Sequence, residues 1–153
     1  MLKLSVAENV TLPFLDRCCR RGILRRSEEN AVAAGYMQQL QIKARNLAQR
    51  VLLLSGGNQQ KVVLSKWLGS KAKVFIFDEP TRGIDVGAKV EIYELMNRLT
   101  AEGAAILMIS SELPEIMGMS DRILTMCRGA ISGEFRAGQV SQEEILQSAL
   151  GLN

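Results

Sequence analysis

Two stretches carry residue types that could handle a phosphate. In Val74-Phe75-Ile76-Phe77-Asp78-Glu79-Pro80-Thr81 an apolar run ends on two adjacent carboxylates. Such a strand brings one acid, Asp78, within reach of a Mg²⁺ ion and turns the next, Glu79, elsewhere, toward a water. In Leu54-Ser55-Gly56-Gly57-Asn58-Gln59-Gln60-Lys61 a Ser-Gly-Gly turn opens a helical pattern, and the free backbone N–H groups of such a turn suit an anion. Two glycines in a first turn cost on the order of 1 kcal/mol each against alanine, so close approach of backbone to a ligand accounts for them better than capping does. A bare Asp-Glu pair would be read as a strand-end acid entering a loop. Four apolar residues before it, Pro-Thr after it and the Ser-Gly-Gly turn upstream favour chemistry instead.

The elements that must position these residues alternate between strand and helix. From Asn58 to about Leu68 the residues Val62, Val63, Leu64, Trp67 and Leu68 form an apolar stripe, with Gly69 as a C-terminal stop. The helix N-terminus, and so its positive dipole end, points back at Ser55 and the glycines. Lys73 to Phe77 reads as a strand buried on both faces. Val86 to Ala101 places Ile92, Leu95, Met96 and Leu99 at i, i+3, i+4 and i+7, capped by Asp85 and stopped at Glu102-Gly103. Ala104 to Ser110 reads as a second buried strand and Glu112 to Met117 as a short helix with Pro114 in its first turn. Arg122–Met126 and Ala130–Phe135 form a hairpin about Arg128-Gly129, and Ser141-x-x-Glu144 is a capping box for a last helix to Leu150. Before all of these, residues 1 to about 50 read as helical without strand-like alternation, broken at Pro13 and restarted by Ser27 as a cap for a helix toward Gln41. The rhythm is α/β.

Composition narrows the partners. At 153 residues the chain is long enough for one core, and a net charge of +3 with interspersed signs calls for no polyanionic partner. The cluster Arg17, Arg20, Arg21, Arg25 and Arg26 lacks the aromatic interleaving that stacking on bases needs, so it reads as a solvated helix face or a docking surface, with no nucleic acid implied. Cys18, Cys19 and Cys127 have no metal spacing and there is no histidine, which fits reduced thiols in the cytoplasm. No apolar run approaches the roughly 20 residues needed to cross a bilayer, and Met1 to Leu15 has no signal-peptide core.

Leu54–Lys61 and Val74–Thr81 together resemble the signature motif and Walker B segment of an ATP-binding cassette, the nucleotide-binding domain of ABC transporters. Asn58-Gln59-Gln60-Lys61 and Thr81-Arg82-Gly83-Ile84-Asp85 are similar to the second cassette of the tandem ATPases of bacterial sugar importers (ribose, galactose or galactofuranose type). The likeness runs from about Ser5 to Phe135. It implies an incomplete P-loop NTPase fold: a helical signature subdomain over residues 1–69 and the C-terminal part of the ATPase core over 70–153. The strand leading to the phosphate loop would lie between those at Ala104–Ser110 and Arg122–Met126, but no G-x-x-x-x-G-K-[ST] pattern occurs in the 153 residues.

The resemblance also implies roles. Asp78 would serve Mg²⁺; Glu79 would polarise the attacking water; Ser55, Gly56 and Gly57, completed by Gln60, would bind the γ-phosphate of ATP held by the opposite cassette. Asp85 would be the D-loop aspartate at the dimer interface, and Ser111, in Ile109-Ser110-Ser111-Glu112, stands where the family has its switch histidine. A hydroxyl can hydrogen-bond a phosphate oxygen but carries no positive charge near neutral pH, so this site implies slow turnover or a nucleotide-holding role.

The implied partners are the N-terminal remainder of the cassette, a second cassette, membrane permease subunits and, indirectly, a periplasmic sugar-binding protein, at the cytoplasmic face of the inner membrane. The first functional reading is thus the ATP-hydrolysing component of a monosaccharide importer. A second is a non-catalytic fragment or interaction module, since without a phosphate loop this stretch alone neither grips nor hydrolyses ATP. DNA-maintenance ATPases share both motifs, but no long heptad segment splits them here.

Overall fold

The computed structural model describes residues 1–70 and 72–152. The chain separates into two compact units, Met1–Phe75 with Thr81–Ala105, and Ile76–Pro80 with Ile106–Asn153.

The first unit is mostly helical. Helix α1 (Val6–Thr11) starts with a full capping box: the Ser5 hydroxyl accepts from the Glu8 N–H, and the Glu8 carboxylate accepts from the Ser5 N–H at 2.9 Å. These bonds favour the ionised form and hold the Glu8 carboxyl below its usual range. A 3₁₀ segment, Leu12–Cys18, with Pro13 in its first turn, leads to a two-stranded ribbon, β1 (Cys19–Arg20) and β2 (Ile23–Leu24). The ribbon was not expected from the sequence. Its turn is made by Arg21 at φ 54° and Gly22 at φ 78°, the pair of left-handed residues that a tight hairpin turn requires.

Helix α2 (Arg26–Gln39) is preceded by Arg25 rather than capped by Ser27, and no side chain caps it. Nor do the clustered arginines share one helix face. Arg17 donates to the Gly69 carbonyl at 2.8 Å, Arg25 pairs with Glu28, and Arg26 pairs at 2.9 Å with Glu29, which is buried and also accepts from Thr11.

Helix α3 (Gly56–Leu68) packs on α1 and on α4 (Val86–Ala101), burying Val62 and Leu64 from α3 and Ile92, Leu95, Met96 and Leu99 from α4. The stop at Gly69 works differently from a left-handed terminator: Gly69 is right-handed, at φ −62° and ψ −21°. What demands glycine there is space, because an added Cβ would lie within the ring of Phe14, itself buried and carrying the Arg17 guanidinium on its face. Gly69→Ala, measured by thermal melting of the complete protein, is expected to cost about 1–3 kcal/mol from overpacking, with Phe14→Leu partly restoring the loss.

Strands β3 (Val74–Asp78) and β4 (Ala105–Ile109) run parallel: Ala105 donates to the Lys73 carbonyl at 2.9 Å at one end and Glu79 to the Ile109 carbonyl at 2.8 Å at the other. Neither is buried on both faces, contrary to the expectation from their composition. Phe75 and Phe77 are buried, whereas Val74 and Ile76 are 63% and 68% exposed and Leu107 and Ile109 about half exposed. Among the described residues nothing covers that face, so continuous apolar strands show the alternating exposure of a one-sided sheet.

The second unit continues through α5 (Leu113–Met119) to the antiparallel hairpin of β5 (Arg122–Cys127) and β6 (Ala130–Arg136). The expected turn is present, with Arg128 at φ 50° and Gly129 at φ 83°, and a bulge falls between Thr125 and Met126. Helix α6 (Gln142–Leu150) carries the expected Ser141–Glu144 capping box and seats Ile145 and Ser148 on the hairpin. Among the described residues β4 pairs only with β3 and β5 only with β6, so no strand joins the two sheets.

Candidate functional site

The residues singled out by type and spacing fall into two groups, one in each compact unit.

In the first unit, Ser55 precedes α3 with extended backbone, φ −63° and ψ 156°, yet its hydroxyl makes no cap hydrogen bond. It accepts instead from the Asn58 side-chain amide at 2.8 Å, while Asn58 Oδ1 accepts from the Lys43 N–H at 2.7 Å. Asn58 therefore pins the serine to the loop before it and leaves the first-turn backbone N–H groups without a side-chain acceptor from Ser55. Ser55 and Gly56 are exposed; Gly57 is buried.

Crowding explains the second glycine. A Cβ on Gly57 would come within 2.9 Å of the Ala88 Cβ in the first turn of α4, and one on Gly56 would be 3.7 Å from the Gly83 carbonyl. The Ser-Gly-Gly turn and the segment Gly83–Ala88 are thus packed backbone to backbone. Asp85 lies in that segment, exposed, with its carboxylate accepting from the Ala88 N–H at 2.9 Å as the cap of α4. Gln60 sits half-buried one turn into α3.

Lys61, to which the sequence assigns no role, ties these parts together. It is 7% exposed, its ammonium lies 2.5 Å from the Glu91 carboxylate on α4, and it donates to the Gln41 carbonyl at 3.3 Å. A lysine among the buried positions of an amphipathic helix was the available signal.

In the second unit, Asp78 ends β3 exposed to solvent, a position suited to the one or two carboxylates that Mg²⁺ takes alongside waters and phosphate oxygens. Glu79 follows in the left-handed region at φ 47°, where a non-glycine residue costs on the order of 1–3 kcal/mol. Its N–H is held by the Ile109 carbonyl, and its carboxylate Oε2 accepts from the Ser111 hydroxyl at 3.2 Å. The turn after β4 is organised by Ser110, whose hydroxyl accepts from the Glu112 N–H at 3.0 Å and donates to the buried Glu115 carboxylate in a short contact. The sequence assigns no role to Ser110 or Glu115, because their pairing is visible only once α5 has turned back.

A parallel strand pair, one strand of which ends in adjacent carboxylates, belongs to an α/β nucleotide-binding fold. Solved ABC structures share the fold of this chain. A metal-chelate-type ABC transporter in an inward-facing conformation superposes with a TM-score of 0.80 at 15% identity, covering 97% of this chain and 59% of that one. A dimeric ATP-binding cassette in a post-hydrolysis state bound to ADP and Pi gives 0.75 at 21%, covering 92% and 60%.

The ABC transporter family matches residues 2–82, and the chain belongs to it. Its similar relatives include the xylose import ATP-binding protein XylG of Thermoanaerobacter pseudethanolicus, 53% identical over 148 residues, and a ribose import ATP-binding protein, RbsA 1, of Streptomyces avermitilis, 51% identical over 153. These alignments cover 97% and 100% of this chain, which spans 29% of the length of each relative.

Proposed function

We propose that the chain is part of the energy-coupling ATPase of a bacterial monosaccharide importer, with the pentoses as the substrate class. The observation that carries this reading is identity above 50% along nearly the whole chain to proteins described as xylose and ribose import ATP-binding proteins. Residues 1–69 act as the signature subdomain and 70–153 as part of the ATPase core. They work with the remainder of the cassette, a second cassette, permease subunits and, through these, a periplasmic sugar-binding protein. The site of action is the cytoplasmic face of the membrane; among the described residues no helix is long and apolar enough to cross a bilayer.

In this mechanism the chain contributes position and polarity. The N–H groups of the exposed residues Ser55 and Gly56, with the Ser55 hydroxyl, would take the γ-phosphate of ATP presented by the opposite cassette, and Gln60 would complete that surface. Asp85 lies at the contact between cassettes. Asp78 would hold the Mg²⁺ that accompanies the nucleotide, an ion that would supply charge compensation for the phosphates. Glu79 orients the attacking water through the carboxylate oxygen that Ser111 does not engage, accepting its proton as the γ-phosphoryl leaves. The Ser111 hydroxyl donates to Glu79, where an imidazole would bring a charge.

The test is transport. Proteoliposomes carrying the complete importer, charged internally with MgATP, are expected to accumulate labelled xylose or ribose only when sugar-binding protein is supplied outside. ATP hydrolysis that responds to neither sugar nor binding protein would remove the importer assignment.

A further inference from the structure

We propose that Glu115 is a positioning residue for ATP hydrolysis, acting through Ser110 to hold the Ser111 hydroxyl on the Glu79 carboxylate. The inference rests on the reading of Glu79 as the group that orients water.

Glu79 is held by two clasps. The Ile109 carbonyl takes its backbone N–H at 2.8 Å and the Ser111 hydroxyl takes its carboxylate at 3.2 Å. Because Glu79 is in the left-handed region at φ 47°, its backbone has few neighbouring conformations into which it can relax, and its side-chain direction depends on both clasps. Ser110 lies between the two residues that supply them. Its hydroxyl is engaged on both sides, accepting from the Glu112 N–H at 3.0 Å and donating to Glu115. A shift of Ser110 therefore moves the backbone clasp and the side-chain clasp together.

The far end of this chain is the unexpected part. Glu115 is 5% exposed, and a buried carboxylate is costly unless hydrogen bonds compensate for lost water. Leucine or methionine would fill the same volume on α5 without that cost. A carboxylate is the group that accepts strongly from a hydroxyl, and here it accepts from the one hydroxyl that fixes the course of residues 109–111. Through Ser110, Glu115 sets the geometry of the segment that holds Glu79.

The experiment uses the complete energy subunit assembled with its permease, with kcat and KM for MgATP measured on Ser110→Ala, Ser110→Thr, Glu115→Leu, Glu115→Gln and the double variant Ser110→Ala/Glu115→Leu. Ser110→Ala and Glu115→Leu are each expected to lower kcat by about ten- to a hundredfold through misplacement of Glu79, with KM changed by no more than about twofold. Ser110→Thr keeps the donor and Glu115→Gln keeps a carbonyl acceptor, so both should retain most of the activity. The double variant should be no worse than the weaker single one, because both act on one contact.

Wild-type kcat in Ser110→Ala, losses that multiply in the double variant, or a KM that rises in step with the fall in kcat would each overturn the proposal. If Glu115→Leu fails to assemble, Ser110→Ala, which removes a single oxygen, decides the matter. Glu79→Gln run in parallel separates the two levels. Full turnover there overturns the reading of the site itself, whereas silence there with wild-type Ser110→Ala overturns only the role of Glu115.

Discussion

Replacing Glu79 by glutamine in the complete energy subunit will lower turnover at this site by about two to four orders of magnitude while nucleotide binding stays within about twofold of wild type. The amide has nearly the volume of the carboxylate and can still accept from Ser111 through its carbonyl oxygen, so the clasp seen at 3.2 Å survives. What disappears is the negative charge and the basic lone pair offered to water. Single-turnover hydrolysis of radiolabelled ATP reads the first effect, and retention of nucleotide after rapid gel filtration reads the second. Retained turnover with normal binding would take Glu79 out of its assigned role; loss of binding would mean that the substitution damages the fold of the 76–80 segment.

The second large effect concerns the 153-residue chain purified by itself. It is expected to bind MgATP more weakly than about 1 mM, beyond −4.1 kcal/mol toward zero, and to melt without a sharp transition. The first part follows from residue content: no G-x-x-x-x-G-K-[ST] pattern, whose lysine and amide nest supply most of the grip on β- and γ-phosphates, occurs in the 153 residues. The second follows from the surface. Val74, Ile76, Leu107 and Ile109 present one largely exposed apolar sheet face, and the strands β4 and β5 each have a partner on one side only among the described residues. Isothermal titration with MgATP and a calorimetric scan at two protein concentrations check both. Micromolar affinity in such a preparation would sink the idea that phosphate gripping lies elsewhere, and a concentration-independent cooperative melt would show that the open face is tolerated.

How much was legible beforehand depended on the range of the interaction concerned. Helix α4 begins and ends where the apolar spacing and Glu102-Gly103 place it, and the Arg128-Gly129 turn and the Ser141–Glu144 box form as expected, because each is decided within a few residues. The ribbon at Cys19–Leu24 was missed although Arg21-Gly22 is the same dipeptide as Arg128-Gly129; two-residue strands are too short to show alternation. Ser27 was a reasonable cap by type, but Arg26 engages the buried Glu29 and the helix starts earlier. Gly69 was right as a boundary and wrong as a mechanism, since the reason for it lies 55 positions away in sequence, at Phe14. Strand burial was overestimated because composition records what a strand can bury and not whether anything covers it.

The candidate site divides along the same line. The carboxylates and the glycine turn were evident from local pattern. The Ser111–Glu79 bond, the crowding of Gly57 on Ala88 and the Ser110–Glu115 contact join separate stretches and carry no local mark.

The ion pair of Lys61 with Glu91 has a bearing on how this chain can drift over evolutionary time. An ammonium that is almost wholly enclosed cannot lose its counter-charge without being left stranded, and its counter-charge stands on a different helix, thirty positions along. The two sites are therefore inherited as a couplet: a descendant that replaces one must replace the other in the same lineage, or abandon charge at both together. Recombination with a crossover between them would break the couplet, so viable chimaeras should take helices α3 and α4 from a single parent.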